Sequence, residues 1–261
     1  MIRSQVGETK KHSGPQPKQD GPVAILIPAR MSASRLPGKP LAMIGDVPMI
    51  VQVWRRAQEA QLGKVFVACA EAEIAAAVEA AGGEAVLTDP ELPSGTDRIK
   101  QALDRVDSAG KFQTVINLQG DFPTLDPRHL ACSLQPLTSL GADIGTLVNR
   151  MDDPSEWRDP AKVKAIVSWH GETLGKALYF TRAQAPSGDG PLWHHCGIYA
   201  FRRDALSRFT ELPPSPLELR EKLEQLRALE HGMVIGVSRI DAAPFGVDTP
   251  ADLDRARTLL A

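Results

Sequence analysis

Val23-Ala24-Ile25-Leu26-Ile27, followed by Pro28-Ala29-Arg30-Met31-Ser32-Ala33-Ser34-Arg35-Leu36-Pro37-Gly38-Lys39-Pro40-Leu41, is the stretch on which the fold turns. The first five residues are apolar and partly β-branched. They are too few for a helix and typical of a strand buried on both faces. The loop behind them holds three permanent cations, Arg30, Arg35 and Lys39, within ten residues, beside Gly38 and two hydroxyls. Ligands of open α/β sheets bind at the carboxyl ends of the strands. Arg matches phosphate oxygens in pairs, Lys acts as a mobile point charge, and Gly lets backbone amides approach an anion. The segment is neither a Walker A loop nor a GxGxxG turn, so motif knowledge alone leaves a solvated basic loop as the alternative. The density of Arg, Gly and Pro beside a buried strand favours a polyphosphate site.

On either side the texture alternates. Apolar positions Ile50, Val51, Val53, Trp54 and Ala57 predict a helix from Pro48 to Ala60. A strand is expected at Lys64 to Ala68, an alanine-rich helix at Glu71 to Ala81 stopped by Gly82-Gly83, and a short strand at Ala85 to Leu87. A helix capped by Ser94 or Thr96 runs to Val106, and Thr114 to Leu118 is another buried strand. Strands are expected again at Asp143 to Asn149, Val163 to Ser168, Ala177 to Phe180 and Gly197 to Phe201. One long helix is expected from Pro216 to His231, with Leu217, Leu223, Leu226 and Leu229 on its apolar face, and another from Pro250 to Leu260. Strands alternating with helices predict a three-layer α/β sandwich on a mostly parallel, mixed sheet. Connections are short and no period repeats, so residues 22–261 read as a single domain.

The composition narrows the function classes. With 261 residues, 30 Lys+Arg against 32 Asp+Glu and a net charge of −2, no overall field draws the chain to nucleic acid or anionic membrane. Cys69, Cys132 and Cys196 form no CxxC pair, which argues against a disulfide framework or zinc ribbon. No apolar run spans a bilayer, and residues 1–21 are polar without the apolar core of a secretory signal. They read as a disordered leader, and the chain as cytoplasmic.

Gln119-Gly120-Asp121, behind the Thr114 strand, sets a carboxylate beside a tight turn, and Gly246-Val247-Asp248-Thr249-Pro250 offers a second. Mg²⁺ takes one or two carboxylates with phosphate oxygens and water, so Asp121 and Asp248 suit a metal–phosphate site. A turn Asp and a helix-capping Asp are the plainer alternatives.

PARMSASRLPGKPL, SGTDRI, NLQGDFP, HCGIYAFR, SPLELREKLEQLR and GVDTPADLDRAR occur in the order seen in the 3-deoxy-D-manno-octulosonate (Kdo) cytidylyltransferases, and the chain resembles that family from about Val23 onward. The resemblance implies a nucleotide-diphospho-sugar transferase-like fold and transfer of CMP from CTP to Kdo, with Mg²⁺, pyrophosphate release and a role in lipopolysaccharide synthesis. It implies a homodimer as well. By similarity Arg30, Arg35 and Lys39 hold the triphosphate, Asp121 and Asp248 are the metal ligands, and Ser94, Gly95 and Thr96 lie near the cytidine. Gln119, His195, Tyr199, Glu224 and Gln225 surround the sugar acid, and Arg182 pairs with its carboxylate.

The chain departs from the family's pattern at Phe122, where an acid usually follows QGD, and at Ala70, where Ala-Thr-Asp often stands. The stretch from Pro186 to His194 is also shorter than in many members. These bear on sugar specificity rather than reaction class. His194-His195 lacks partners for a zinc site, and adjacent strand residues face opposite ways. Glu221, Glu224, Arg227 and Glu230 would ordinarily form a solvated helix face. The competing functions are a cytidylyltransferase for 8-amino-Kdo or a sialic acid, a sugar-nucleotide glycosyltransferase and a catalytically silent binding regulator. Of these, the glycosyltransferase commonly uses an Asp-x-Asp motif that is absent after TVINL.

Overall fold

The apolar run becomes β1 (Val23–Ala29), and its alternate side chains supply both halves of the core. Ile25 and Ile27 enter one apolar cluster, Ala24 and Leu26 the other. The computed structural model describes residues 21–32 and 36–260; the expected leader, apart from Gly21, lies outside them.

Chain order continues through the small hairpin β2 (Met43–Ile44) and β3 (Val47–Pro48), then α1 (Met49–Glu59), β4 (Gly63–Cys69), α2 (Ala72–Ala80), β5 (Glu84–Leu87), α3 (Gly95–Val106) and β6 (Thr114–Asn117). Next come α4 (Arg128–Ser139), β7 (Ile144–Met151), β8 (Lys164–Trp169), β9 (Leu174–Thr181), β10 (Leu192–Arg202), α5 (Arg203–Glu211), α6 (Pro216–Glu221), α7 (Gln225–Glu230), β11 (Ile235–Ile240) and α8 (Pro250–Leu260).

All but the hairpin join a 9-stranded sheet of order β5-β4-β1-β6-β10-β7-β11-β9-β8. Strands β5, β4, β1 and β6 are parallel, β10 inserts antiparallel between β6 and β7, and β11 runs parallel to β7. Helices α1, α2 and α4 cover the face of Ile25 and Val67, while α3, α5 and α7 cover that of Leu26 and Phe66. This is the expected three-layer α/β sandwich on a mixed sheet. A third cluster packs Val247, Leu253 and Ala256 against Ile44 and Met49, which ties α8 to the β2–β3 hairpin.

Four differences from the sequence reading have physical causes. The helix expected over 216–231 is broken into α6 and α7 at Lys222, whose φ of 55° is left-handed. Glu218 and Arg227 close across the break in a bidentate ion pair of 2.8 and 2.5 Å. Such a pair matches carboxylate to guanidinium in both angle and charge. Arg227 is therefore buried and Glu224 turned inward, not on a solvated face. Helix α4, unforeseen, carries Pro136 inside it. It seats on β7 at Gly145, where a Cβ would lie 2.1 Å from the Ser133 carbonyl oxygen. Helix α5, whose Ala205, Leu206 and Phe209 share one buried face, and strand β11, with Gly236 and Ser238 interrupting its apolar run, are further elements beyond the sequence reading.

Candidate active site

Strands β1 and β6 end side by side, so the residues after them share one edge of the sheet. Arg30, Ser32, Leu36, Lys39, Gln119, Gly120, Asp121 and Asp248 line a cavity of about 300 Å³ there. Gly38, at φ 69°, occupies the left-handed region that a Cβ disfavours and turns the chain into a short 3₁₀ segment, Lys39–Leu41. That turn aims Lys39 across the cavity. Its Nζ donates to Asp121 Oδ2 at 2.9 Å, to the Val247 carbonyl at 3.0 Å and to Asp248 Oδ1 at 3.2 Å. The Val247 amide in turn donates to the Asp121 carbonyl at 2.9 Å, which holds the late loop beside the early one.

Burial lowers the tendency of Lys39 to stay charged, but Asp121 and Asp248 outweigh it and raise its pKa. Burial likewise pushes the Asp121 carboxyl up, against the pull of Lys39 and with the help of Asp248. Both shifts describe two acids crowded around one ammonium. Arg30 is exposed on the rim of the same cavity, and Arg35 lies outside the described residues.

Ser94 caps α3: its Oγ accepts from the Thr96 and Asp97 amides at 3.1 and 3.2 Å. The cap fixes Gly95 and Thr96 at the first turn, and Thr96 Oγ1 donates to Glu224 Oε2 at 2.6 Å. Thr96, Tyr199, Glu224 and Gln225 then meet around a small gap roofed by Phe201 and Phe209. Two buried atoms at that gap, Glu224 Oε1 and Gln225 Nε2, have no hydrogen-bond partner. Buried polar groups are almost always paired, so the two orphans set Glu224 and Gln225 apart from the packed wall around them. Burial pushes the Glu224 carboxyl up, opposed by the Thr96 hydroxyl.

His195 lies deeper, with its ring 4.9 Å from Phe180 and 5.4 Å from Tyr199. Thr146 Oγ1 sits 3.0 Å from His195 Nε2 and 2.8 Å from the Ile198 carbonyl. A hydroxyl has one proton, and a carbonyl can only accept, so Nε2 carries the proton and donates to Thr146. Burial, with His194 beside it, holds the His195 pKa down to about 3 and keeps the ring neutral. Gln119 Nε2 donates to Asn117 Oδ1 at 3.3 Å at the end of β6.

Arg182 sits beside the α6–α7 break. Its guanidinium donates to the carbonyls of Glu221, Pro160 and Lys222 at 2.8, 2.8 and 3.2 Å, clamping the end of α6. That geometry engages it in holding the helix break. Thr146, Asn117 and the Val247 carbonyl are site residues that no sequence signal pointed to. No cluster of three or more His, Cys, Asp or Glu able to hold a metal occurs among the described residues.

The model of the family described as cytidylyltransferase matches residues 24–235. The chain belongs to the cytidylyltransferase family. Among curated relatives, the 3-deoxy-manno-octulosonate cytidylyltransferase of Parvibaculum lavamentivorans is 59% identical over 91% of this chain and 92% of its own length. The enzyme of the same name from a Bradyrhizobium species is 59% identical over 92% and 97%. A solved CMP:2-keto-3-deoxy-manno-octonic acid synthetase complexed with CTP superposes with a TM-score of 0.84 at 37% identity, covering 92% of this chain and 98% of its own. Within the cytidylyltransferases, the chain is thus identified with the Kdo branch.

Proposed function

We propose that the chain transfers CMP from CTP to the anomeric hydroxyl of Kdo, releasing pyrophosphate, in the service of lipopolysaccharide synthesis. One observation carries the reading. The Lys39 ammonium, held by Asp121 and Asp248, lines a cavity of about 300 Å³ with the exposed Arg30 at the carboxyl ends of β1 and β6. That arrangement of charge suits a triphosphate. Likeness to enzymes of that name over nine-tenths of the chain supports the assignment.

Asp121 and Asp248 converge on one point, with the Lys39 ammonium between them, and such a pair fits a divalent cation shared with phosphate oxygens. Mg²⁺ held there would draw off charge from the triphosphate and lower the pKa of the attacking hydroxyl. Arg30 and Lys39 are placed to offset the negative charge that grows on the departing pyrophosphate. The Ser94 cap orients the α3 N-terminus, where Gly95 and Thr96 meet the nucleoside. Gln119, His195, Tyr199, Glu224 and Gln225 hold the sugar for in-line attack, which is mainly a matter of positioning. We assign no general base. The same reading includes the family's homodimer and a cytoplasmic setting; among the described residues no helix is long and apolar enough to cross a membrane.

Pyrophosphate release with CTP, Mg²⁺ and Kdo tests the reading. Release that requires Kdo and vanishes in an Asp121→Ala, Asp248→Ala variant upholds it. Release with 8-amino-Kdo or a sialic acid but not Kdo would move the assignment to another sugar acid. CTP binding without turnover on any of them would make the chain a silent binder.

A further inference from the structure

The chain lacks an acid at Ala70, and Glu71 stands one residue on. Glu71 begins α2 in extended conformation, φ −122° and ψ 148°, where a short acid would fold back to cap its own helix. Its side chain makes no such cap. Instead Oε2 accepts the backbone N–H of Met31 at 3.0 Å, 40 residues earlier in the chain.

That amide belongs to the residue next to Arg30, at the neck of the cationic loop. The Met31 carbonyl accepts from the Gly38 amide at 3.2 Å, and Gly38 leads directly into Lys39. The Ala29 carbonyl accepts from the Ala70 amide at 3.0 Å. Both polar groups of the Met31 backbone are therefore tied, one to the start of α2 and the other to the far side of the loop. The charge distribution adds to the tie. Arg98, buried under this edge on α3, is attracted by Glu71 and repelled by Arg30. Glu71 thus offsets the crowding of two cations while it holds the segment that joins them to the cavity. A half-buried carboxylate accepting an amide makes a stronger bond than a neutral pair.

We infer that Glu71 is a positioning residue for the triphosphate: it acts through the Met31 backbone to hold Arg30 and Lys39 where CTP is gripped, an inference that rests on the CTP-transfer reading. The residue touches no substrate. Its removal leaves the buried face of α2, Ile74, Ala75 and Val78, unchanged, so the effect falls on the loop and not on the core.

The test compares wild type, Glu71→Ala, Glu71→Asp, Glu71→Gln and, as a control on the same helix turn, Glu73→Ala. CTP affinity is measured by equilibrium dialysis with Mg²⁺, and KM for CTP and for Kdo by pyrophosphate release. Glu71→Ala and Glu71→Asp, the latter too short to reach, should weaken CTP binding and raise its KM about ten-fold. KM for Kdo and the melting temperature should stay near wild type. Glu71→Gln, which keeps an oxygen at the same reach, should recover most of the affinity, and Glu73→Ala should match wild type. Unchanged CTP affinity, equal rises in both KM values, or a Gln variant no better than Ala overturns the inference. Should Glu71→Ala not fold, the Asp and Gln variants decide it alone. Wild type that binds CTP but releases no pyrophosphate defeats the transfer reading and leaves the affinity comparison to judge Glu71. Wild type that binds no CTP defeats both.

Discussion

Two ends of one sheet edge handle polarity in opposite ways. Beyond β1 and β6, charges are kept and matched: Lys39 lies between Asp121 and Asp248, with Arg30 open to solvent beside them. Along β10 and beside the α6–α7 break, burial works against charge. Burial holds His195 neutral, with its pKa at about 3, and pushes the Tyr199 hydroxyl and the Glu224 carboxyl up. A triphosphate is recognised by field strength, which tolerates some water. The hydroxyls of a sugar acid are recognised by where they point, which calls for donors and acceptors fixed in a dry wall.

The contrast can be broken most directly at Asp121. Asp121→Ala should lower the rate of pyrophosphate release by about 10³-fold while KM for Kdo holds, since the loss falls on charge stabilisation. A comparable rise in KM for Kdo instead would show that the two ends are not separate. Acid should act on the other end. The His195 pKa falls from 6.5 to about 3 on folding, so above pH 6.5 neither state is protonated and the full stability is present. Between those values only the unfolded state takes up the proton, and stability drains at about 1.4 kcal/mol per pH unit, or roughly 2 kcal/mol by pH 5. His194, lowered to about 4, contributes with the same sign. Denaturant melts at pH 7 and 5 should show a smaller loss in His195→Asn than in wild type; parallel losses would remove His195 from the account.

Finer effects sharpen the comparison. Gln225→Leu should raise KM for Kdo about ten-fold, leave KM for CTP alone, and melt no lower than wild type. Its Nε2 lacks a partner, so replacing it leaves no new orphan. A lower melting temperature would mean the amide is structurally paired. Raising the salt concentration tenfold should lift KM for CTP by a few-fold and KM for Kdo less, because exposed cations such as Arg30 are screened and the buried wall is not. Steady-state kinetics at two ionic strengths reads the difference.

The same division explains what the sequence makes legible. The charged end is written in contiguous motifs: one apolar strand, one loop, one Gln-Gly-Asp turn. Buried parallel strands and their helices carry clear periodicity there. At the neutral end, function depends on distant pairings. Nothing local announces that Thr146 bonds the ring of His195, or that Glu218 reaches Arg227 and so breaks a helix whose leucine spacing runs on unbroken. Only the resemblance sets Arg182 against the sugar carboxylate. Its three carbonyl partners come from loops that only the fold brings together. The resemblance to known cytidylyltransferases located Glu224 and Gln225. The helix break explains why they face inward.

Lys39 meets Val247 and Asp248 across 208 and 209 residues of chain. In the order of synthesis, the loop of cations emerges early and waits, while the second carboxylate arrives only after the whole sheet has been made. Contacts this distant close late in folding, because the intervening chain must be ordered first. The nascent polypeptide therefore holds Lys39 and Asp121 before it holds Asp248, the second carboxylate of that cluster. The docking of α8 against the β2–β3 hairpin thus joins the last helix to the first loop only when the rest of the chain is in place.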